Sequence, residues 1–406
     1  MKLKAAWIGY GIYAGGAESN ALRIAHYFVK KQAGLDFVLL DGVDEYKGRY
    51  KKWHTSLRFY PLFRNRNKFL SRLLYPVFTV FATVRFLQRI QKNNYDVLLS
   101  IAGYEPMFVT VIAAKLLHKK SVVVIGDNPT KDFKSLPFLK RVLNSSLFKI
   151  SLALSDSIIS VSQGLANHLT THYQIDKAKI KMIYNGIDIQ RSIKEKKTFV
   201  KKEKGPHQIV TLGRLVDKKD FSLLIDAISV VKKNIHVKLT IIGKGNRENE
   251  LKKEVIKKGL KNIVTFKKLG EDNPSDYLEK SDIFVFTSQY EGFGNTILEA
   301  MASGLPVISI DCPYGPKEII AGKSNYSNFQ GPLQKQVVEG AYGILVRRSF
   351  HYQQNVAALA RAIQQMLSNK KLMRFYRKMS LKRVRNFTEE KMCRQYFQTV
   401  LSLVGK

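Results

Sequence analysis

Short apolar runs ending in glycine or polar residues recur along the chain, separated by stretches of helical period. "LKAAWIG" reads as a strand, leads through "YGIYAGGAE" into the helix "SNALRIAHYFVKKQ", and is followed by the strand "LDFVLLDG". "YDVLLSIA", "KSVVVIGDN", "SDSIISVS" and "IKMIYNGID" repeat the pattern. The segment 189–206, "IQRSIKEKKTFVKKEKGP", is rich in charge and poor in core residues, and reads as a linker. After it the alternation restarts with "HQIVTLGRL", "HVKLTIIGKG", "NIVTFKKLG", "DIFVFTS", "LPVISID" and "YGILV". Such alternation predicts parallel sheets covered by helices on both faces. The expected fold class is therefore α/β, with two doubly wound Rossmann-like domains. The expected boundaries are 1–190, 191–385 and a C-terminal amphipathic helix over 386–406 that packs back on the first domain. Ligands are expected at the carboxyl ends of the strands.

Length and cysteine content add little to this picture. The 406 residues suit two or three domains, and Cys312 and Cys393 are too few for a disulfide framework, which favours a reducing compartment. The N-terminal glycines favour a first strand and loop over a signal peptide. The most apolar stretch, 69–87, is interrupted by Arg72, Pro76 and Arg85, so no membrane span is expected. Charge changes more. Lys and Arg number 68 against 32 acids, a net charge of +36. Such an excess speaks about anionic partners, nucleic acid or membrane surface, although lysine-rich codon usage can also raise it.

The richest chemistry lies in "YEGFGNTILEAMASGLPV", residues 290–307. A buried strand, 282–288, runs into a turn containing Gly292 and Gly294, and "NTILEAMAS" then returns at helical period with Asn295 and Thr296 placed to cap it. A helix start offers unpaired amides and the positive end of the dipole, a ready anion site. Glu299 lies one turn inside, on the face of Asn295 and Thr296, while Glu291 stands at the strand end. A diphosphate between two hydroxylated rings fits that arrangement, because carboxylates accept from vicinal hydroxyls. A nucleotide sugar is such a ligand; a glycine turn with two solvated glutamates is the bland alternative. "GRLVDKKDF" adds Arg214 and Lys219 just after a strand, cations suited to a diphosphate.

Together "GGAE", "VSQG", "NGID", "GRL" with Lys219, "IIGKG", "SDIFVFTSQYEGFGNTILEAMASGLPVIS", "DCPYGPKEI" and "YGILV" resemble the retaining glycosyltransferases of family 4, in family order and over most of the chain. The resemblance implies the GT-B architecture, with two Rossmann-like domains facing across a cleft. It also implies transfer of a hexose or N-acetylhexosamine from a nucleoside diphosphate sugar, expected to be a UDP sugar, to a hydroxyl of a lipid-linked or cell-surface glycan. On that resemblance Arg214 and Lys219 meet the diphosphate, and Glu291 contacts the donor sugar beside Gly292 and the Phe293–Gly294–Asn295 backbone. Thr296 lies near the phosphate, Glu299 holds the ribose, and Gly15 and Gly16 let the first-domain loop approach the donor.

The chain departs from the family pattern in three places. Asp220 follows Lys219 where glycine is commoner. The first-domain loop "VVVIGDNPT" has no histidine, so Asp127 is the candidate for an acceptor-side role. The segment 321–341 is longer than usual. No Asp-x-Asp occurs, so no bridging metal and no cofactor are expected. His168 and His172 in "HLTTH" have metal-ligand spacing but lack a third ligand nearby, and read as surface or cap residues.

From Lys47 to Lys92 no acid occurs, and aromatics such as Trp53, Phe59, Phe63 and Tyr75 alternate with cations. This mixture suits an anionic headgroup layer. It also suits a nucleic-acid groove, the weaker of the two readings, and part of it must be core. The resulting expectation is a cytoplasmic enzyme of polysaccharide biosynthesis, peripherally attached to the cytoplasmic membrane face. Two alternatives stay open. "GYGIYA" (9–14) with Asp41 fits a loose dinucleotide fingerprint and a nicotinamide-dependent oxidoreductase. The excess charge fits a non-catalytic binding protein for membranes or nucleic acid on the same scaffold.

Overall fold

The computed structural model describes residues 3–10, 16–40, 58–61, 75–101, 103–134, 136–189, 205–268, 274–322 and 336–405, with side chains left out of the description at 58–61, 75–82 and 101. The chain divides into two compact units. One runs to Gly186 and takes back the chain from Glu389 onward, and the other is Ile187–Thr388.

In the first unit the strands are β1 (Lys4–Gly9), β2 (Gly34–Leu39), β3 (Arg58–Pro61), β4 (Val97–Ile101), β5 (Lys120–Ile125), β6 (Ser157–Ser160) and β7 (Ile180–Met182). They lie in the order β3-β2-β1-β4-β5-β6-β7, all parallel. Parallel strands covered on both faces read as unbroken apolar runs, and β1 and β5 are buried from their second residue onward. Strand β3 falls inside the basic stretch and was not anticipated. Its four residues, RFYP, are too short and too cationic for a periodicity argument. Helix Tyr75–Asn93 follows it; among the described residues no helix is long and apolar enough to cross a membrane.

The C-terminal helix Glu389–Leu403 belongs to this unit. Phe397 meets Phe28 edge-on at 5.0 Å, Tyr396 stacks on Trp7 at 6.4 Å, and Arg23 Nε lies 3.4 Å from Glu389 Oε2. Gly186 N–H donates to Met392 Sδ at 3.2 Å, where the chain leaves the unit.

The second unit repeats the plan with β8 (His207–Leu212), β9 (Val237–Ile242), β10 (Val264–Lys267), β11 (Ile283–Phe286), β12 (Val307–Asp311), β13 (Val337–Glu339) and β14 (Ile344–Arg347). Their order is β10-β9-β8-β11-β12-β14-β13, parallel except for β13 against β14. The fold class is the expected α/β, two doubly wound parallel-sheet units. Most of the candidate linker (190–204) and of the long 321–341 segment lies outside the described residues. Strand β13 closes the latter and was not anticipated.

Candidate active site

Strand β8 pairs with β9 on one side and β11 on the other. The chain order reverses there, so the segments leaving β8 and β11 diverge and open a crevice at the carboxyl ends, the expected ligand position in such a sheet. Arg214, Lys218 and Lys219 leave β8; Thr287 to Gly294 leave β11. The two segments are tied together. Thr287 Oγ1 donates to the Lys219 carbonyl at 2.8 Å, and Gln289 N–H donates to the Lys218 carbonyl at 2.8 Å.

Lys219 Nζ donates to Glu291 Oε1 at 2.5 Å, with both side chains about seven-eighths buried (14% and 13% exposed). Lys218 Nζ stands 4.0 Å from Glu291 Oε2 and 4.5 Å from the centre of the Tyr290 ring. Burial pushes the Glu291 carboxyl up, but Lys219, its hydrogen bond and Lys218 together hold it below the ordinary value. Glu291 is thus no solvated surface carboxylate. Nor does it sit at the strand end. β11 closes at Phe286, and Glu291 forms a separate bridge with Tyr314: its N–H donates to Pro313 O at 2.7 Å, and its carbonyl accepts from Tyr314 N–H at 2.6 Å.

This bridge brings the Gly315–Ala321 helix against the Glu291–Gly294 turn. A Cβ at Gly315 would lie 2.3 Å from both Cα and O of Phe293, so only glycine permits the approach. A Cβ at Gly243, after β9, would lie 1.9 Å from the Gly213 carbonyl, so the "IIGKG" turn backs the Arg214 loop in the same way. Phe293 is buried, its ring edge-on to Phe387 at 5.4 Å.

The Asn295–Ala302 helix is capped by Gly294 at φ +107°, not by Asn295 or Thr296, which are its first two residues. No side chain caps it, and the Ile297 N–H donates to the Gly294 carbonyl at 3.0 Å in its first turn. In that turn the buried Thr296 Oγ1 has no hydrogen-bond partner among the described residues. Glu299 is half-buried one turn inside. Arg214 is exposed, and its guanidinium makes no ion pair among the described residues. Asp220 has φ +48°, a left-handed conformation that explains why glycine is the commoner residue there; aspartate tolerates it, and the carboxylate pairs with Arg348.

In the first unit Gly16 opens the Gly16–Lys30 helix, while Gly15 lies outside the described residues, as do Asp41 and most of the 9–14 fingerprint. Asp127 follows β5 and is half-buried, its Oδ1 accepting from Asn128 N–H at 2.8 Å. Asn128 Oδ1 in turn accepts from Lys131 N–H at 3.1 Å. A polar cluster missed in the sequence lies nearby. Thr130 Oγ1 is 2.8 Å from His168 Nε2 and 3.1 Å from Tyr173 OH, and Tyr104 OH donates to Asp132 at 3.5 Å. Burial, then Asp132 and Asp127, push the Tyr104 phenol up. His168 and His172 stack at 4.9 Å, and burial followed by the neighbouring ring lowers the His168 pKa. The available signal was that these residues sit on segments following β4, β5 and β6. Among the described residues no group of three or more His, Cys, Asp or Glu side chains could hold a metal.

Comparison with known proteins bears directly on this arrangement. The description "Glycosyltransferase Family 4" matches residues 14–191, and "Glycosyl transferases group 1" matches 192–383. The chain belongs to family 4 of the glycosyltransferases. An uncharacterized glycosyltransferase of Methanocaldococcus jannaschii is 28% identical over 362 residues, 82% of this chain and 86% of the relative. The N-acetylgalactosamine-N,N'-diacetylbacillosaminyl-diphospho-undecaprenol 4-alpha-N-acetylgalactosaminyltransferase of Campylobacter jejuni is 26% identical over 302 residues, 73% and 74% of the two chains. The solved structure of Anabaena HepE with UDP and glucose superposes with a TM-score of 0.74 at 18% identity, over 98% of this chain and all of that one. A glycosyltransferase from Rickettsia africae gives 0.73 at 18%, over 99% of each chain. These last likenesses show the fold, GT-B. For this glycosyltransferase the nicotinamide and non-catalytic readings give way to the family's enzyme class.

Proposed function

We propose that this glycosyltransferase moves a hexose or N-acetylhexosamine from a UDP sugar to a hydroxyl of a lipid-linked or cell-surface glycan, with retention at the anomeric carbon. The observation that carries the donor half is the Lys219–Glu291 pair at the β8/β11 switch point, beside a helix start where the buried Thr296 hydroxyl has no hydrogen-bond partner among the described residues. The Lys219 ammonium has three donors. One goes to Glu291, and the others are available to a diphosphate, with Arg214, Thr296 and the helix amides completing its shell. Glu291 then borders the sugar, together with Gly292 and the Phe293–Asn295 backbone, and Glu299 receives the ribose hydroxyls. Gly15, Gly16 and Asp127 keep their acceptor-facing and donor-facing roles as proposals from the family pattern.

The carboxylate that this reading places beside the sugar, Glu291, is engaged by Lys219 Nζ, which favours front-face substitution over attack by a protein nucleophile. The bond from the anomeric carbon to the diphosphate oxygen breaks, and the bond to the acceptor oxygen forms on the same face. The acceptor's proton passes to the departing diphosphate oxygen. The protein supplies positioning and charge stabilisation, with the cations and amides aimed at the negative charge that develops. No metal is required in this scheme.

The C. jejuni relative is named for a diphospho-undecaprenol substrate, which supports a lipid-linked acceptor and peripheral attachment to a cytoplasmic membrane face. The basic stretch Lys47–Lys92, mostly outside the described residues, is the part of that attachment read from sequence alone. The test is a panel of UDP sugars with undecaprenyl-diphosphate-linked saccharides as acceptors, with the anomeric configuration of the product read by NMR. An inverted product, or turnover only with another nucleotide, would refute the corresponding part.

A further inference from the structure

Helix Phe138–Leu154 in the first unit carries apolar side chains on both its buried and its exposed face. Its inner face is Asn144, Phe148, Ser151 and Leu152. Its outer face, where a surface helix carries polar residues, holds Phe138 (67% exposed), Leu139 (81%), Val142 (48%), Ile150 (41%) and Leu154 (37%). The first three share its first two turns. Ile150 and Leu154 lie further along the same side, beyond the exposed Ser146 and Lys149, so two apolar patches occupy that face over roughly 25 Å at 1.5 Å per residue. Exposed patches of that extent on one element mark an interaction surface.

The charges around it select the partner. No acid occurs between Asp132 and Asp156, whereas Lys134, Lys140, Arg141 and Lys149 do. The Arg141 guanidinium lies 5.6 Å from the Phe138 ring, an apolar body with a cationic head beside it, the arrangement of side chains that sit at a lipid boundary. A second copy of this chain would bring the same cations to that face, on a chain of net charge +36, and the two would repel.

We infer that the outer face of helix Phe138–Leu154 is the element that inserts into an anionic bilayer, with Phe138, Leu139 and Val142 entering the acyl boundary and Lys140, Arg141 and Lys149 meeting the headgroups. This inference rests on the peripheral-membrane part of the proposed function, but it assigns the insertion to a different element from the Lys47–Lys92 stretch. A helix lying in the interface buries its apolar face about 5–10 Å deep. Each cation near an anionic surface adds to the attraction, which salt screens.

The experiment uses the full chain. Both native cysteines are buried, so Leu139→Cys can be labelled selectively with an environment-sensitive fluorophore. Phe350→Cys, at a fully exposed position in the second unit, serves as the control. Phosphatidylcholine vesicles are added with and without phosphatidylglycerol. The expected result is a blue shift at position 139 only with the anionic lipid, and none at position 350. The triple variant Phe138→Ser, Leu139→Ser, Val142→Ser should lose about tenfold in vesicle partitioning with its unfolding midpoint unchanged. Flotation with vesicles while the label at 139 stays in water would overturn the assignment and leave peripheral attachment standing. No flotation of the unaltered chain would refute attachment itself, and this assignment with it. A dimer in sedimentation that the triple variant dissociates would show the face to be a subunit interface instead.

Discussion

Lys219 and Glu291 lie 72 residues apart in the chain and share a 2.5 Å contact in the second unit. The first stands on the segment leaving β8 and the second on the segment leaving β11, so only the pairing of these two strands joins them. With both side chains largely buried, removing Glu291 leaves the Lys219 charge uncompensated, and removing Lys219 leaves Glu291 only the more distant Lys218 at 4.0 Å, so either loss is costly. Lys219→Met and Glu291→Gln should each destabilise the second unit, and the double variant should cost less than the sum, with a coupling of about 1–3 kcal/mol. Urea unfolding of the four proteins measures it. Additive effects would mean the contact carries no energy.

The pair also sets a pH dependence. The Glu291 carboxyl is held below its ordinary value of 4.5, so its contribution to stability is fully present above that value. It declines as pH falls through the folded-state pKa, because the unfolded chain takes up the proton first. The difference in unfolding free energy between the unaltered chain and Glu291→Gln should therefore be flat from neutral pH to near 4.5 and shrink below it. A difference that grows on acidification would reverse the sign of the assignment.

Donor recognition divides between binding and turnover. Arg214→Ala and Glu299→Ala should weaken UDP by about tenfold to a hundredfold, the cost of a hydrogen bond to a charged group. Glu291→Ala should act mainly on turnover, since it borders the reacting sugar. Calorimetric titration of UDP, paired with transfer rates, separates the two. Transfer should also survive EDTA; activity abolished by the chelator and restored by manganese would show a metal on the diphosphate.

Gly315 allows a close approach and touches no proposed ligand. Gly315→Ala should destabilise by about 1–3 kcal/mol and displace the Phe293–Gly294 turn, lowering UDP affinity without removing a single donor-contacting side chain. Thermal unfolding and UDP titration together check this. Unchanged values in both would mean that the turn tolerates a methyl group.

The two cysteines should be silent in the native state. Burial, then Glu291, raises the Cys312 thiol well above its usual value, and burial, then Glu389, pushes Cys393 up to about 12. Reactivity follows the thiolate. A chromogenic disulfide reagent at mildly alkaline pH should find no thiol in the folded chain and two after denaturation.

The sequence by itself determined the fold class and the enzyme class. Buried parallel strands must be apolar throughout and helices must keep a 3.6-residue period, so their alternation is written locally. The glycine turn before Asn295 and the glutamates on either side of it are likewise local. Other features required the tertiary structure. Gly294, with its left-handed φ, takes the cap position in place of Asn295, and the Gly315 segment packs against the neighbouring Phe293 from a distant part of the chain. Glu291 became a buried, ion-paired carboxylate because β8 and β11 are neighbours in the sheet. The same is true of the Thr130, His168 and Tyr173 cluster, drawn from segments after different strands. The exposed apolar face of helix Phe138–Leu154 was equally hidden, because its apolar residues are spread round the helix and only the packing shows which side is covered. Local periodicity encodes what each segment is, whereas burial and pairing depend on which segments the fold makes neighbours.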